Sequence, residues 1–205
     1  MKGDLITIPE YHTDKVDKPI RTKFDYLFLL FQSIQWMLLF YEYRSWYESN
    51  IPDSKRKLLL FIWKMSRLFF FSEDKFFSFY FPFTFSESKF FFNGDIIDQK
   101  KIADLLEILN KIDETNIIDS LTYLDYQDYE FGLEEIIKRI LTMEDGYIRY
   151  DKDLSHINGN IHPTYHYDVY YSSWVSFKLW LNNQILKEDF VSLLDPEKEC
   201  YFLRE

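Results

Sequence analysis

Three of the four histidines in this chain, His156, His162 and His166, fall within eleven residues in the segment SHINGNIHPTYHYDVYY, the only dense cluster of reactive polar side chains. Side chains alternate along a strand, so a strand through His166 puts His166, Asp168 and Tyr170 on one face and Tyr167, Val169 and Tyr171 on the other. The preceding segment follows the same rule: Tyr147, Arg149 and Asp151 share one face, and Ile148 and Tyr150 the other. If the two segments pair with their apolar faces together, Arg149, Asp151, His166 and Asp168 converge on the opposite surface, and a third strand adds Ser176 and Lys178. Such a face can hold a phosphate, a divalent ion or a carboxylate.

Three chemistries fit. In the first, His162, His166 and Asp168, with His156 nearby, ligate a transition metal, because imidazole with carboxylate suits zinc, manganese or iron. In the second, the site is a degenerate two-strand nuclease core in which Asp168 and Lys178 serve a magnesium ion and its water, with Ser176 standing where a second acid belongs. In the third, His166 is a general acid or base positioned by Asp168 or Asp151, with Arg149, Asp151, His166 and Asp168 as the catalytic set. The plainer alternative is a satisfied ion-pair network on a solvated sheet, with histidines that bond backbone after the Asn158-Gly159 turn. The aromatic residues around the cluster, Tyr165 to Trp180, read more readily as core than as stacking platforms. Cys200 reads as a small buried hydrophobe.

The elements that must position these groups are legible from periodicity. Tyr147 to Asp151, His166 to Tyr171 and Val175 to Leu181 read as short strands, followed by a helix from Lys187 to Leu194 and a last strand, Cys200 to Leu203. Upstream, residues 1–22 read as an extended arm. A first helix runs from Lys23 to Glu48, and a second from Lys55 to Phe69 after the break at Pro52. In Phe79 to Phe85 every odd position is Phe, predicting a strand with one aromatic face that Pro82 confines to an edge. Lys89 to Ile97 reads as another strand, and Asp98 to Ile112 and Tyr129 to Met143 as amphipathic helices around an acidic loop, Ser120 to Asp128. The outline is α+β: one domain, 1–205, in which a mainly helical part, 23–143, packs with a small, mainly antiparallel sheet in 144–205.

Composition narrows the function classes. The chain has 205 residues, 47% hydrophobic, 28% charged and 20% aromatic, which excludes a disordered or disulfide-framed chain; its single cysteine forms no internal bridge. Thirty-four acidic against 24 basic residues give a net charge of -10. That opposes independent duplex binding, so nucleic acid is expected only through a partner. The apolar run Tyr26 to Tyr41, interrupted by Gln32, Ser33 and Gln35, is short for a membrane span, and residues 1–21 lack an apolar leader core, so the expected location is the cytoplasm, away from membranes. No phosphate loop, dinucleotide fingerprint or long repeat appears.

The segments RYDKD, HPTYHYD, SFKLWL, DFVSLLD and ECYFL, between residues 147 and 203, resemble the pattern of a group of small uncharacterised bacterial proteins that share a domain of unknown function, often encoded in anti-phage defence or mobile-element neighbourhoods; HPxxHxD is the most specific part. The resemblance implies a role in a multi-gene defence or toxin-antitoxin system and carries Arg149, Asp151, His162, His166 and Asp168 as its motif positions. Two readings follow. The first is an accessory subunit that docks on a larger nuclease or ATPase of the same operon through Phe31, Trp36, Phe79 and Phe81, with self-association into a homo-oligomer also open. It needs no cofactor. The second is a small metal-assisted hydrolase or nuclease effector that uses the His/Asp cluster and a divalent ion.

Overall fold

The computed structural model describes residues 4–9, 16, 20–50, 56–62, 65–113, 116, 119, 122, 132–159, 161–172 and 175–199. The fold is α+β, as the periodicity requires. N-terminal helices precede a mainly antiparallel sheet, and the chain passes back and forth between two compact units. One unit comprises 1–6, 57–80 and 146–205, the other 7–56 and 81–145.

The first unit is built on a seven-stranded sheet, in the order β1-β2-β3-β4-β8-β9-β10. Its strands are β1 (Asp4–Pro9), β2 (Arg56–Ile62), β3 (Arg67–Phe71), β4 (Lys75–Tyr80), β8 (Ile148–Lys152), β9 (Tyr165–Ser172) and β10 (Val175–Trp180). Every neighbouring pair from β2 to β10 is antiparallel. The sheet is thus larger than expected and draws its strands from both halves of the chain. The extended arm supplies its edge strand β1.

The second helix expected over Lys55 to Phe69 is instead the β2–β3 hairpin, with Leu59 opposite Phe70 and Leu60 opposite Phe69. A short apolar run has no period by which to tell a buried strand from a buried helix. The turn at Ser66, with φ of 48°, and burial of every residue from Leu68 to Phe71 mark the run as strand. Phe70 stacks on Phe77 and Phe79, at centroid distances of 4.7 and 5.6 Å. Each such ring pair adds about 0.5–1.5 kcal/mol beyond burial. On the opposite face, Phe69, Phe71, Phe76, Ile148, Tyr150 and Tyr167 form a core closed by Phe190 and Val191 of α5 (Lys187–Leu193). The strand expected over Cys200 to Leu203 lies outside the described residues.

The second unit holds α1 (Lys23–Glu42), α2 (Arg44–Asn50), α3 (Gln99–Lys111), α4 (Leu133–Leu141) and a three-stranded antiparallel sheet of β5 (Thr84–Ser86), β6 (Lys89–Phe92) and β7 (Asp95–Ile97). A capping box starts α1: the Thr22 hydroxyl accepts the Asp25 N–H, and the Asp25 carboxylate accepts the Thr22 N–H. Gln32 and Gln35, the polar interruptions in this apolar helix, hydrogen-bond to each other at 2.6 Å. By length and composition α1 could cross a membrane, longer than the apolar run suggested; 61% of its most apolar window is buried within the protein, as in a core helix. The Asp98 carboxylate caps α3 through the Lys101 N–H. The Phe-rich segment does not continue as one strand: β4 ends at Tyr80, and β5 begins at Thr84 beyond Pro82. Lys89 to Ile97 is two strands turned at Asn93-Gly94, both at positive φ, the pairing a two-residue hairpin favours. The loop Ser120 to Asp128 falls almost wholly outside the described residues, as do Tyr129 to Phe131 at the start of the helix expected there.

Candidate metal centre on the sheet face

The register of three strands assembles the polar cluster. Directly opposed residues of an antiparallel pair project to one face. Arg149 lies opposite Asp168 and Asp151 opposite His166 across β8–β9; Asp168 lies opposite Lys178 and His166 opposite Trp180 across β9–β10. Arg149, Asp151, His166, Asp168 and Lys178 therefore meet on the face away from α5. Ser176 is opposite Tyr170, one pair further along.

The contacts are short and mostly shielded. The Arg149 Nε donates to Asp151 Oδ2 and its Nη2 to Asp168 Oδ2, both at 2.6 Å. Lys178 Nζ lies 3.0 Å from Asp168 Oδ1 and 2.8 Å from His166 Nε2. His166 and Asp168 are 0% and 3% exposed, and Asp151 8%. Burial works against the charge on Arg149, but the carboxylates of Asp151 and Asp168 outweigh it and hold the guanidinium charged. Beside it the Tyr147 and Tyr170 rings pack at 4.8 Å, and burial pushes both phenols up.

His166 is fixed in one tautomer. Its Nδ1 sits 2.9 Å from the Pro163 carbonyl oxygen, which can only accept, so Nδ1 carries the proton and the Nε2 lone pair accepts from the Lys178 ammonium at 2.8 Å. Burial lowers the imidazole below its ordinary pKa, and the Lys178 charge lowers it further against the pull of Asp168, the Pro163 carbonyl and Asp151. A metal-ligating histidine is prepared in this way, its second nitrogen held by a backbone carbonyl.

Asp151, His166 and Asp168 each offer a ligand atom, and these atoms all lie within 4.8 Å of one another. The His166 Nε2 is 3.8 Å from Asp151 Oδ2 and 3.8 Å from Asp168 Oδ2. Ligands about 2.1 Å from an ion lie roughly 3–3.5 Å apart, so each carboxylate is within a few tenths of an ångström of ligand spacing from the imidazole, and the group as a whole would contract by about 1 Å around an ion. Two carboxylates and an imidazole suit manganese, iron or zinc. The donor set fits a divalent ion.

His162, expected as the third ligand, is not in this group. Its ring lies edge-on against His166, with centroids 4.7 Å apart, but its Nε2 turns to Asp153 Oδ2 at 3.1 Å. Asp153 also meets His156 Nδ1 at 3.0 Å and accepts the backbone N–H groups of Ser155 and His156. Burial alone would raise its carboxyl; those two N–H groups and the two imidazoles outweigh it and hold Asp153 well below the usual carboxylate range. Asp151 takes the place assigned to His162 because its strand register, unlike the loop at 153–162, aims it at His166. It also supplies the acid that Ser176 does not, from the strand on the other side of β9.

The four rings expected to bind a partner are occupied by the protein's own interior: Phe31, Phe79 and Phe81 are 0% exposed and Trp36 is 4%. Exposed apolar side chains among the described residues lie elsewhere and include Leu154, Ile157 and Ile161 in the β8–β9 connection and Phe177 and Trp180 on β10. Sequence reasoning placed Lys178 on the correct face but missed the Pro163 carbonyl, which no side-chain pattern can reveal, and Asp153. The proximity of Asp153 to His156 in the chain was its one signal.

Comparison with protein-family models, with curated proteins and with solved structures gives no match.

Proposed function

We propose that this chain is a small cytoplasmic hydrolase of phosphate esters, assisted by a divalent ion held by Asp151, His166 and Asp168. The observation that carries this reading is the convergence of three shielded donors: His166, held in one tautomer by the Pro163 carbonyl, has its Nε2 3.8 Å from each of the two carboxylates. A bound ion would polarise a phosphoryl oxygen and lower the pKa of a water. Arg149 orients both carboxylates at once. Lys178, at the open edge of the cluster, is the cation a phosphate reaches first. The resemblance of the C-terminal segments to proteins of defence neighbourhoods supports an effector role in a bacterial anti-phage or toxin-antitoxin system. The net charge of -10 supports delivery to any nucleic acid by a partner rather than by the chain alone.

Metal analysis of the purified protein, joined to phosphoesterase assays with added Mn²⁺, tests the reading. Near one equivalent of bound ion, with activity lost in Asp168→Asn and His166→Ala while both remain folded, is the expected result. Absence of metal binding at micromolar to millimolar Mn²⁺ would refute it.

A second reading, an accessory subunit docked on a larger nuclease or ATPase of the same operon, is supported by the exposure of Leu154, Ile157 and Ile161 at 64%, 56% and 76% within one connection. Co-purification with the neighbouring gene product, lost in Ile157→Ser/Ile161→Ser, is the expected result; a wild-type chain that does not co-purify with it would count against the reading.

A further inference from the structure

The two cations of the cluster already hold the groups an ion would use: Arg149 holds the Oδ2 atoms of Asp151 and Asp168, and Lys178 holds His166 Nε2 and Asp168 Oδ1. The Lys178 ammonium donates into the lone pair of His166 Nε2 at 2.8 Å and to Asp168 Oδ1 at 3.0 Å, so it engages two of the three groups that make up the ligand set. The two cations of the cluster are placed differently. Arg149 has a 14% exposed side chain and ties β8 to β9 through both carboxylates. Lys178 is on the terminal strand of the sheet order, with a side chain 35% exposed above partners that are 0% and 4% exposed. Its long stem can swing outward without disturbing the strands.

We propose that Lys178 is the place-holder of the metal centre: it neutralises Asp168 and caps His166 when no ion is bound, is displaced when one enters, and then receives a dianionic phosphate monoester. The inference rests on the metal-centre reading above and adds the order of events and the substrate class. Repulsion between an ammonium and a divalent ion a few ångströms apart in a shielded site expels the lysine. Among the hydrogen-bonded groups the charges of Arg149 and Lys178 balance those of Asp151 and Asp168, with His166 neutral. A divalent ion therefore leaves two positive charges, which a phosphate monoester dianion cancels and a diester monoanion does not.

Calorimetric titration of the full chain with Mn²⁺, in the wild type and in Lys178→Met, tests the first step. Losing a hydrogen-bonded charge worth about 1.5–3 kcal/mol should tighten Mn²⁺ binding roughly ten- to a hundredfold. In the wild type, acylation of Lys178 followed by mass spectrometry should speed up about tenfold when Mn²⁺ is added, a readout that needs no variant. For the second step, inorganic phosphate at pH 8 should bind the Mn²⁺ form of the wild type about tenfold more tightly than dimethyl phosphate does, and the advantage should shrink in Lys178→Met. Equal or weaker Mn²⁺ binding by the variant, or Lys178 acylation unchanged by Mn²⁺, overturns the place-holder. Equal binding of the two phosphates overturns the substrate class. Failure of Mn²⁺ to bind either protein overturns the metal centre itself, an outcome distinct from the others.

Discussion

Replacing Arg149 by methionine keeps most of the buried stem and removes the guanidinium that bridges two carboxylates at 2.6 Å each. Lys178 still neutralises Asp168, so the carboxylate left without its charged donor is Asp151, whose side chain is 11% exposed. Breaking a buried pair by removing one partner costs about 3–5 kcal/mol, and partial exposure places this one at the lower end, near 3 kcal/mol. In a chain of this size each kcal/mol lowers Tm by about 2–4 °C, so Arg149→Met should melt roughly 6–12 °C below the wild type. Scanning calorimetry and the urea midpoint should agree. The double variant Arg149→Met/Asp151→Asn should recover part of the loss, because no charge is then left without a partner. A drop of less than about 2 °C would put the pair in the class of solvated surface bridges. A double variant no more stable than the single one would show that packing of the arginine stem, not charge, carries the effect.

Three further outcomes follow from particular contacts. Because His166 is held below its ordinary pKa, the folded state binds fewer protons than the unfolded one; stability should be full above about pH 6.5 and fall as the solution is acidified through that value. His166→Gln should lack this slope, and nitrogen-15 spectra of the wild type near neutral pH should show the Nδ1-protonated tautomer; an Nε2-protonated ring would contradict the Pro163 contact. Asp153 is depressed, so its contribution is present above about pH 3.9 and lost below it. Asp153→Asn should be less stable than the wild type at pH 7, and the gap should narrow progressively as the pH falls below about 3.9, as followed by urea unfolding at each pH. Gly146, just before β8, has φ of 55°, and a Cβ there would stand 3.3 Å from the Arg67 guanidinium. Gly146→Ala should cost about 1–2 kcal/mol by thermal melting, the ordinary penalty for an L-residue in the left-handed region.

The strand alternation in residues 147–180 was enough to place Arg149, Asp151, His166, Asp168 and Lys178 on one face, because a period of two leaves a strand pair with one buried apolar side only two arrangements. The spacing of apolar residues placed the start of α1 at Lys23 and that of α3 within a residue of Asp98. The helix expected over Lys55 to Phe69 failed: that stretch went into the β2–β3 hairpin, because a mostly apolar run fits a buried helix and a buried strand alike. The aromatic rings taken for a partner surface were interior for a related reason, since sequence reports that a ring must be covered and not by what.

Residue types and alternation in one local stretch thus determined the chemistry available to this protein: an imidazole, two acids and two bases on a single sheet face. Tertiary structure decided which of them touch. It set the register of β8 against β9, chose Asp151 over His162, turned His162 toward Asp153 and brought the Pro163 carbonyl to His166 Nδ1. These choices depend on hydrogen bonds between backbones and on loop geometry, and neither leaves a mark in the order of side chains.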